Sequence, residues 1–276
     1  MDDRTNEILD EINNETNEMD VSQMEIEGIL NLKKFKKLIH FDCSYNTIKK
    51  LSGLGKEIIE LNCENNLIST LDNLPIKLKK LHCRSNLIKK LDNLPCELLE
   101  LDCAENKITK LDNLPQNLKK LNCEYNYLET IDNLPKSIEF FNCNLNYIKK
   151  LDNLHCGLIE LICSATSITS LDYLPDSLET LICCNNKITN LYNLPNGLKF
   201  LNCSFTNITK ICNLPIKLTN LICYSCLINE IHDLPKSLKV LECSNNFYLD
   251  MKALILPKKI KKITSHNCGK DIIINT

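Results

Sequence analysis

The sequence predicts a repeat solenoid, mostly β, with a parallel sheet on one face and irregular return segments on the other. Three observations lead there. A twenty-residue unit, LxxLxCxxNxIxxLDNLPxx, keeps one register from Leu38 to Ser237, ten units without an insertion. Each unit opens with apolar residues at positions one, four and six and mostly polar ones at three, five and seven, the period of a strand. Eight of the ten then carry a Pro that excludes a helix interior, Gly55 and His155 standing in the other two. One unit cannot bury its own apolar face, so stacking is required to build a continuous sheet and core.

Taken in order, residues 1–37 form an acidic arm and an N-terminal cover. Residues 1–28 hold ten acidic groups and one basic group, a net of −9, and residues 29–276 carry a net of +7. Residues 4–14 are expected to form a short helix. Ile29, Leu30, Leu32 and Phe35 are expected to fold onto the first unit. The array proper runs over 38–257. Its eleventh unit, from Leu238, slips by two residues around FYLDMKALILP, and IKKITS (260–265) is a partial twelfth. Residues 258–276 are read as that partial repeat and a C-terminal cap, the pattern being lost in HNCGKDIIINT.

Within a unit, the Asn at position nine breaks the strand. Its amide can bond the backbone of the neighbouring turn, so Asn46, Asn66, Asn86, Asn106, Asn126, Asn146, Asn186 and Asn246 are expected to stack as a ladder. Thr166, Thr206 and Cys226 replace it, and slack is expected at Cys226. The Asp-Asn pair at positions fifteen and sixteen reads as turn chemistry. Ten residues leave room only for an extended, polyproline-like or short 3₁₀ return limb.

Cysteine recurs at position six from Cys43 to Cys243, eleven times among seventeen. This position points inward. Strands stand about 4.8 Å apart, wider than the ~3.8 Å Cβ spacing of a relaxed disulfide. A column also lacks the four converging ligands of a zinc site. The ladder therefore reads as core, with free thiols, and implies a reducing compartment. Cys223-x-x-Cys226 has redox spacing that the register already explains. Cys184 should face outward and is the expected reactive thiol.

At these residues the chain resembles the leucine-rich-repeat family, LxxLxCxxNxI matching its signature with Cys for the third Leu over residues 38–265. The resemblance implies an α/β-type horseshoe with its sheet on the concave face. The twenty-residue length and the LPxxLxxL phrase are most similar to the short class in secreted bacterial effectors. Similar arrays occur in giant DNA viruses of amoebae, an origin that suits the Asn, Ile and Lys bias. Some bacterial relatives carry a ubiquitin-ligase domain, for which residues outside the array leave no room, so that activity is not carried over.

No nucleophile–base set or glycine-rich phosphate loop stands out, and no enzyme activity, cofactor, metal or small-molecule substrate is expected. The N-terminus lacks the features of a signal peptide, and no apolar run approaches the ~18 residues of a membrane span. A soluble, cytoplasmic protein is expected. The concave positions are polar in the early units. From the sixth unit Phe140, Leu145, Ile162, Ile182, Phe200, Phe205, Ile222, Tyr224 and Val240 make them apolar. Such a patch points to a protein partner, a host protein if the chain is a viral or pathogen factor. Three other readings stay open: a self-associating structural repeat, a reactive-thiol protein, and a nucleic-acid binder. The last is disfavoured because Lys-Lys pairs at 49–50, 89–90 and 149–150 and KKIKK at 258–262 are interspersed with acids.

Overall fold

The computed structural model describes residues 3–269. They fall in two compact units, Met1–Glu129 with Asn133–Ile138, and Thr130–Asp132 with Glu139–Thr276. Both are leucine-rich-repeat in construction, each turn giving one short strand to a parallel, in-register ladder; second strands pair at Glu27–Asn31 with Thr47–Ser52, with a register shift at Gly28/Ile29, and at Lys210–Ile211 with Glu230–Ile231. The strands of the main ladder are three residues long, positions three to five, typically with the central residue buried and its neighbours half-exposed. Identical positions sit side by side, as Leu61 beside Leu81 and Leu181 beside Leu201. The positions expected to be core are core: Leu78, Leu81, Cys83 and Ile88 are fully buried, and so are their counterparts in most turns.

The asparagine ladder forms as expected. Asn86 Oδ1 accepts from the Ile68 N–H at 2.9 Å, in the preceding turn. Its Nδ2 faces the carbonyls of Cys63, Cys83 and Arg84 at 2.9, 3.2 and 3.1 Å. The same pattern recurs at Asn66, Asn106 and Asn126. At Cys226 the thiol keeps the carbonyl side, 3.4 Å from Cys203 O, and lies 3.3 Å from Thr206 Oγ1. It supplies no acceptor to the Ile208 N–H, so one of the two functions is lost there.

The return limbs are extended with tight turns. In LPxxL the amide of the closing Leu donates to the Pro carbonyl, as Leu78 to Pro75 at 3.1 Å and Leu198 to Pro195 at 3.1 Å. Asn at position sixteen sits in the left-handed region, from Asn73 (φ 56) to Asn213 (φ 54), the conformation that Asn tolerates. Among the described residues the one 3₁₀ segment is Met251–Ala253, in the slipped eleventh unit.

The stack begins earlier than the twenty-residue register. Glu18–Asp20 pairs in parallel with His40–Asp42, and Glu27–Asn31 with Thr47–Ser52. This first turn is two residues longer, with Val21 where later turns have Cys, and it lacks the Asn. Leu30, Leu32 and Phe35 are buried as expected, but Ile29 is 49% exposed. Its strand alternates, and Leu30 takes the inward side. The helix spans Asp3–Glu11 rather than reaching residue 14. There Asn13 Oδ1 accepts from the Glu15 N–H, turning the chain instead. Leu9 is buried.

At the other end the pattern persists past IKKITS. Lys262–Thr264 pairs with Val240–Glu242. Asn267 is left-handed (φ 57) like other position-eight residues, and Cys268 Sγ meets Cys243 O at 3.3 Å, the place of a ladder Asn. HNCG thus completes the turn rather than losing the pattern. The remaining residues, 270–276, where the cap was expected to end, lie outside those described.

Two substitutions test this architecture. Asn86→Ala strands the Ile68 N–H in the interior, while the carbonyls of Cys63, Cys83 and Arg84 each keep another donor, from Asn66, Asn106 and Asn65; it should cost about 2 kcal/mol by urea unfolding. Gly53 holds the position-sixteen site of its turn at φ +66, where an added Cβ would meet the Lys33 backbone nitrogen at 2.6 Å. Gly53→Asn should therefore destabilise by roughly 2 kcal/mol, although Asn serves that position in other turns.

Candidate partner-binding face

All nine residues expected to form the apolar patch belong to the second unit, whose sheet-face geometry follows from the ladder. At position three the neighbours run Phe140, Glu160, Thr180, Phe200, Asn220, Val240, Lys262. At position five they run Asn142, Ile162, Ile182, Asn202, Ile222, Glu242, Thr264. Ile162 and Ile182 are therefore direct neighbours. Ile222 is separated from them by Asn202. Phe140, Phe200 and Val240 are separated from one another by polar residues. The ladder thus breaks the patch into islands, and its strand residues are half-buried rather than open.

The open part lies at the strand exits. Leu145 and Phe205, at position eight, are 43% and 51% exposed, both in the left-handed backbone region (φ 54 and 56). For a bulky residue that region is costly, and here it is imposed by the turn that every unit makes at position eight. Phe205 packs edge-on against Tyr224 with centroids 5.1 Å apart and planes at 82°. Position ten adds a row that the sequence reading left out: Tyr147, Leu227 and Phe247, with Tyr248 beside it, are all exposed. The signal was present as an apolar residue directly after the ladder position, Asn146, Cys226 or Asn246. It was missed because only strand positions were read as surface.

The first unit's face is different. Position three alternates charge, Glu60, Lys80, Glu100, Lys120, in register. Lys120 pairs with Glu100 at 3.1 Å, Lys80 with Glu60 at 3.8 Å, and Arg84 with Glu105. The Ser85 hydroxyl and Arg84 hold the Glu105 carboxyl below its ordinary range. A trough of about 670 Å³ beside the first strands is lined by Glu18, Asp20, Asp42, Glu60, His40 and His82, among others.

The cysteine ladder is inward and dry, as expected. Every position-six thiol from Cys43 to Cys243 has no solvent exposure. Burial pushes the Cys63 and Cys143 thiols up to about 12. Cys103 Sγ lies 3.3 Å from Asn122 O, a carbonyl that also accepts from the Cys103 N–H at 2.8 Å. Cys226 is 5% exposed, which agrees with the register reading of Cys223-x-x-Cys226. Cys184 does not face outward as expected. It is half-buried, its Sγ 3.7 Å from Asn202 O, and burial raises its thiol above the ordinary range. The open thiols are Cys96 and Cys156, at position nineteen of their turns. Among the described residues no group of three His, Cys, Asp or Glu side chains is set to hold a metal ion. None of their helices is long and apolar enough to cross a membrane.

No protein-family model matches the chain, and no curated protein does. Solved structures do. YopM, a leucine-rich effector protein from Yersinia pestis, aligns over 88% of this chain and 69% of its own, with 26% identity and a TM-score of 0.77. YopM from Yersinia enterocolitica aligns over 83% at 26% identity and a TM-score of 0.69, and this chain spans 60% of its length. The functional domain of InlJ from Listeria monocytogenes, which includes a cysteine ladder, aligns over 94% of this chain and 55% of its own, at 25% identity and a TM-score of 0.61. The circular leucine-rich-repeat protein CroV588 shares the fold at 21% identity, over 84% of this chain and 37% of its own, with a TM-score of 0.64.

The thiols make a pH prediction. Cys63 has an ordinary value of 9.0 and a folded value near 12, so the folded chain holds the proton more tightly. Its contribution is fully present below pH 9 and falls away as pH rises towards 12. Denaturant midpoints measured between pH 8 and 11 should drop steadily, and Cys63→Ala should make the decline shallower.

Proposed function

We propose that this leucine-rich-repeat solenoid is a non-enzymatic scaffold that binds a protein partner through the strand face and strand exits of its second unit. The observation that carries the reading is a contrast. At the strand positions the first unit's face is laced with ion pairs, whereas the second presents Ile162 beside Ile182, with exposed Phe205 packed on half-buried Tyr224 at the exit. Aromatic and aliphatic anchors with polar surroundings are the usual core of a protein interface.

Phe140, Phe200, Ile222, Val240 and Leu145 belong to the same face in this reading, as flanking contacts. The likeness to YopM, an effector protein, supports a role as a viral or pathogen factor acting on a host protein in the host cytoplasm. Self-association through the same face is the competing reading. It differs in predicting a concentration-dependent increase in mass in solution.

The test is capture from host-cell lysate by the wild type and by Ile162→Lys/Ile182→Lys, with circular dichroism confirming that both are folded. The expected result is a partner retained by the wild type and lost by the variant. With that partner in hand, Phe205→Ala should weaken binding by about 2 kcal/mol, roughly thirtyfold. Identical capture by both forms would remove this face from the binding function.

A further inference from the structure

The eleventh turn carries two extra residues, and their place is specific. In the tenth turn His232 and Asp233 separate the buried Ile231 from Leu234-Pro235. In the eleventh, residues 252–255 separate the buried Met251 from Leu256-Pro257. Met251 is held inward, its Sδ 3.7 Å from Cys243 Sγ, and Asp250 caps the 3₁₀ segment by accepting from the Lys252 N–H at 3.0 Å. The closing turns are alike again. The Leu238 N–H donates to Pro235 O at 2.9 Å, and the Ile260 N–H to Pro257 O at 3.1 Å. The extra length is therefore taken up between two fixed points. Asp233 keeps the left-handed backbone of its position (φ 54), and Ile255, its counterpart before Leu-Pro, does not.

Between the two limbs lies a cavity of about 620 Å³, within the ~300–1,000 Å³ of small-molecule sites. Its apolar walls are Leu234 on one side and Ile255, Leu256 and Pro257 on the other, with Ile255 88% exposed. Its rim sets Lys236, Lys258 and Lys259 against Asp233 alone. A groove between the return limbs of two twenty-residue turns is smaller, about 340 Å³, and balances Lys89 and Lys90 with Asp72 and Asp92. Lys236 and Lys258 each directly follow the Pro of their turn. In no earlier pair of successive turns do two lysines share that place. Like charges so placed repel, and one carboxylate in the lining cannot neutralise three ammonium groups.

We propose that this cavity binds a small amphiphilic anion, a single-chain carboxylate of medium length. Its head bridges Lys236 and Lys258, with Lys259 beside them, and relieves their repulsion through charge-assisted hydrogen bonds. Its chain lies against Leu234 and Leu256 and covers Ile255, and the burial of that apolar surface supplies the rest of the affinity. Asp233 on the same rim repels a more highly charged head, which favours a carboxylate over a phosphate. The site lies on the return limbs and shares no residue with the strand face proposed above.

The experiment is isothermal titration calorimetry of the full chain with decanoate, acetate and decyltrimethylammonium. Decanoate should bind as one molecule per chain, about tenfold more tightly than either of the others, and salt should weaken it. Lys236→Gln/Lys258→Gln and, separately, Ile255→Asn should each weaken decanoate about tenfold. All three residues are exposed, so both variants should fold, and circular dichroism checks this. Ile162→Lys/Ile182→Lys should leave decanoate binding unchanged, which separates this site from the partner face. Acetate binding as tightly as decanoate would reduce the site to an anion contact and overturn the proposal. Equal binding of decyltrimethylammonium would overturn it as apolar adsorption. Binding that survives both cavity variants, or no detectable binding of decanoate, would also sink it. Tighter binding of a short peptide ending in Ile-Leu with a free carboxylate would assign the cavity to a chain terminus instead.

Discussion

The carboxamide at position nine is the interaction on which the rest depends. A twenty-residue turn has no helix to satisfy its loop backbone, and the segment after each strand would leave carbonyls and an N–H buried without partners. A buried, unpaired backbone group costs on the order of 1–3 kcal/mol. The Asn side chain meets this demand in both directions at once. In the case of Asn106, Oδ1 takes the Ile88 N–H at 2.9 Å, and Nδ2 takes Cys83 O at 2.9 Å and Cys103 O at 3.1 Å. Because one acceptor is in its own turn and the other in the turn before, the bond also sets the distance between turns. In-register strands, and with them the columns of like residues, follow from that spacing.

The cysteine column is the second consequence. Position six packs beside Leu at one and four and Ile at eleven, in a coil shorter than one that houses a helix. A thiol fills less volume than Leu and adds a weak donor. Cys43 shows the fit: its N–H and its Sγ both point at Asn62 O, at 2.8 and 3.5 Å. The thiol therefore shares an acceptor that the ladder already positions, and burial keeps it protonated. Its constancy along the chain is explained by packing, to which the thiol–carbonyl contact adds at Cys43, Cys103, Cys183 and Cys203. Where chemistry is available, it is at Cys96 and Cys156, which lie outside the column.

How much of this was legible in the sequence depended on whether a residue's role repeats. Leu81, Cys83, Asn86 and Ile88 were readable because the same side chain meets the same neighbours every twenty residues. Both ends were harder to read, because their residues satisfy the same geometry with different chemistry. Val21 stands for Cys in a turn two residues longer, and Cys268 stands for Asn in the last one. The exposed apolar surface of the second unit was read only in part for a different reason. Alternation identifies which way Ile162 and Phe200 point, but it does not show that polar neighbours divide them. Nor does it show that Phe205 and Tyr147 leave the turn into open solvent.

The same geometry explains why the strand exits are the more open surface. A side chain at position three or five is shielded by its neighbours on adjacent strands, about 4.8 Å away on either side, so even Ile182 is only half-exposed. Position eight lies where the backbone turns left-handed, and this swings the side chain clear of the column. The unit adopts that conformation whatever residue it carries: Asn185, Ala165, Leu145 and Phe205 all share φ between 50 and 56. The conformational cost is thus fixed by the repeat and offset by the ladder, and the identity of the residue is free to vary. Large apolar residues there gain nothing for the fold. Phe205, held against Tyr224 and half in solvent, is the kind of residue that contributes to stability only when another surface covers it.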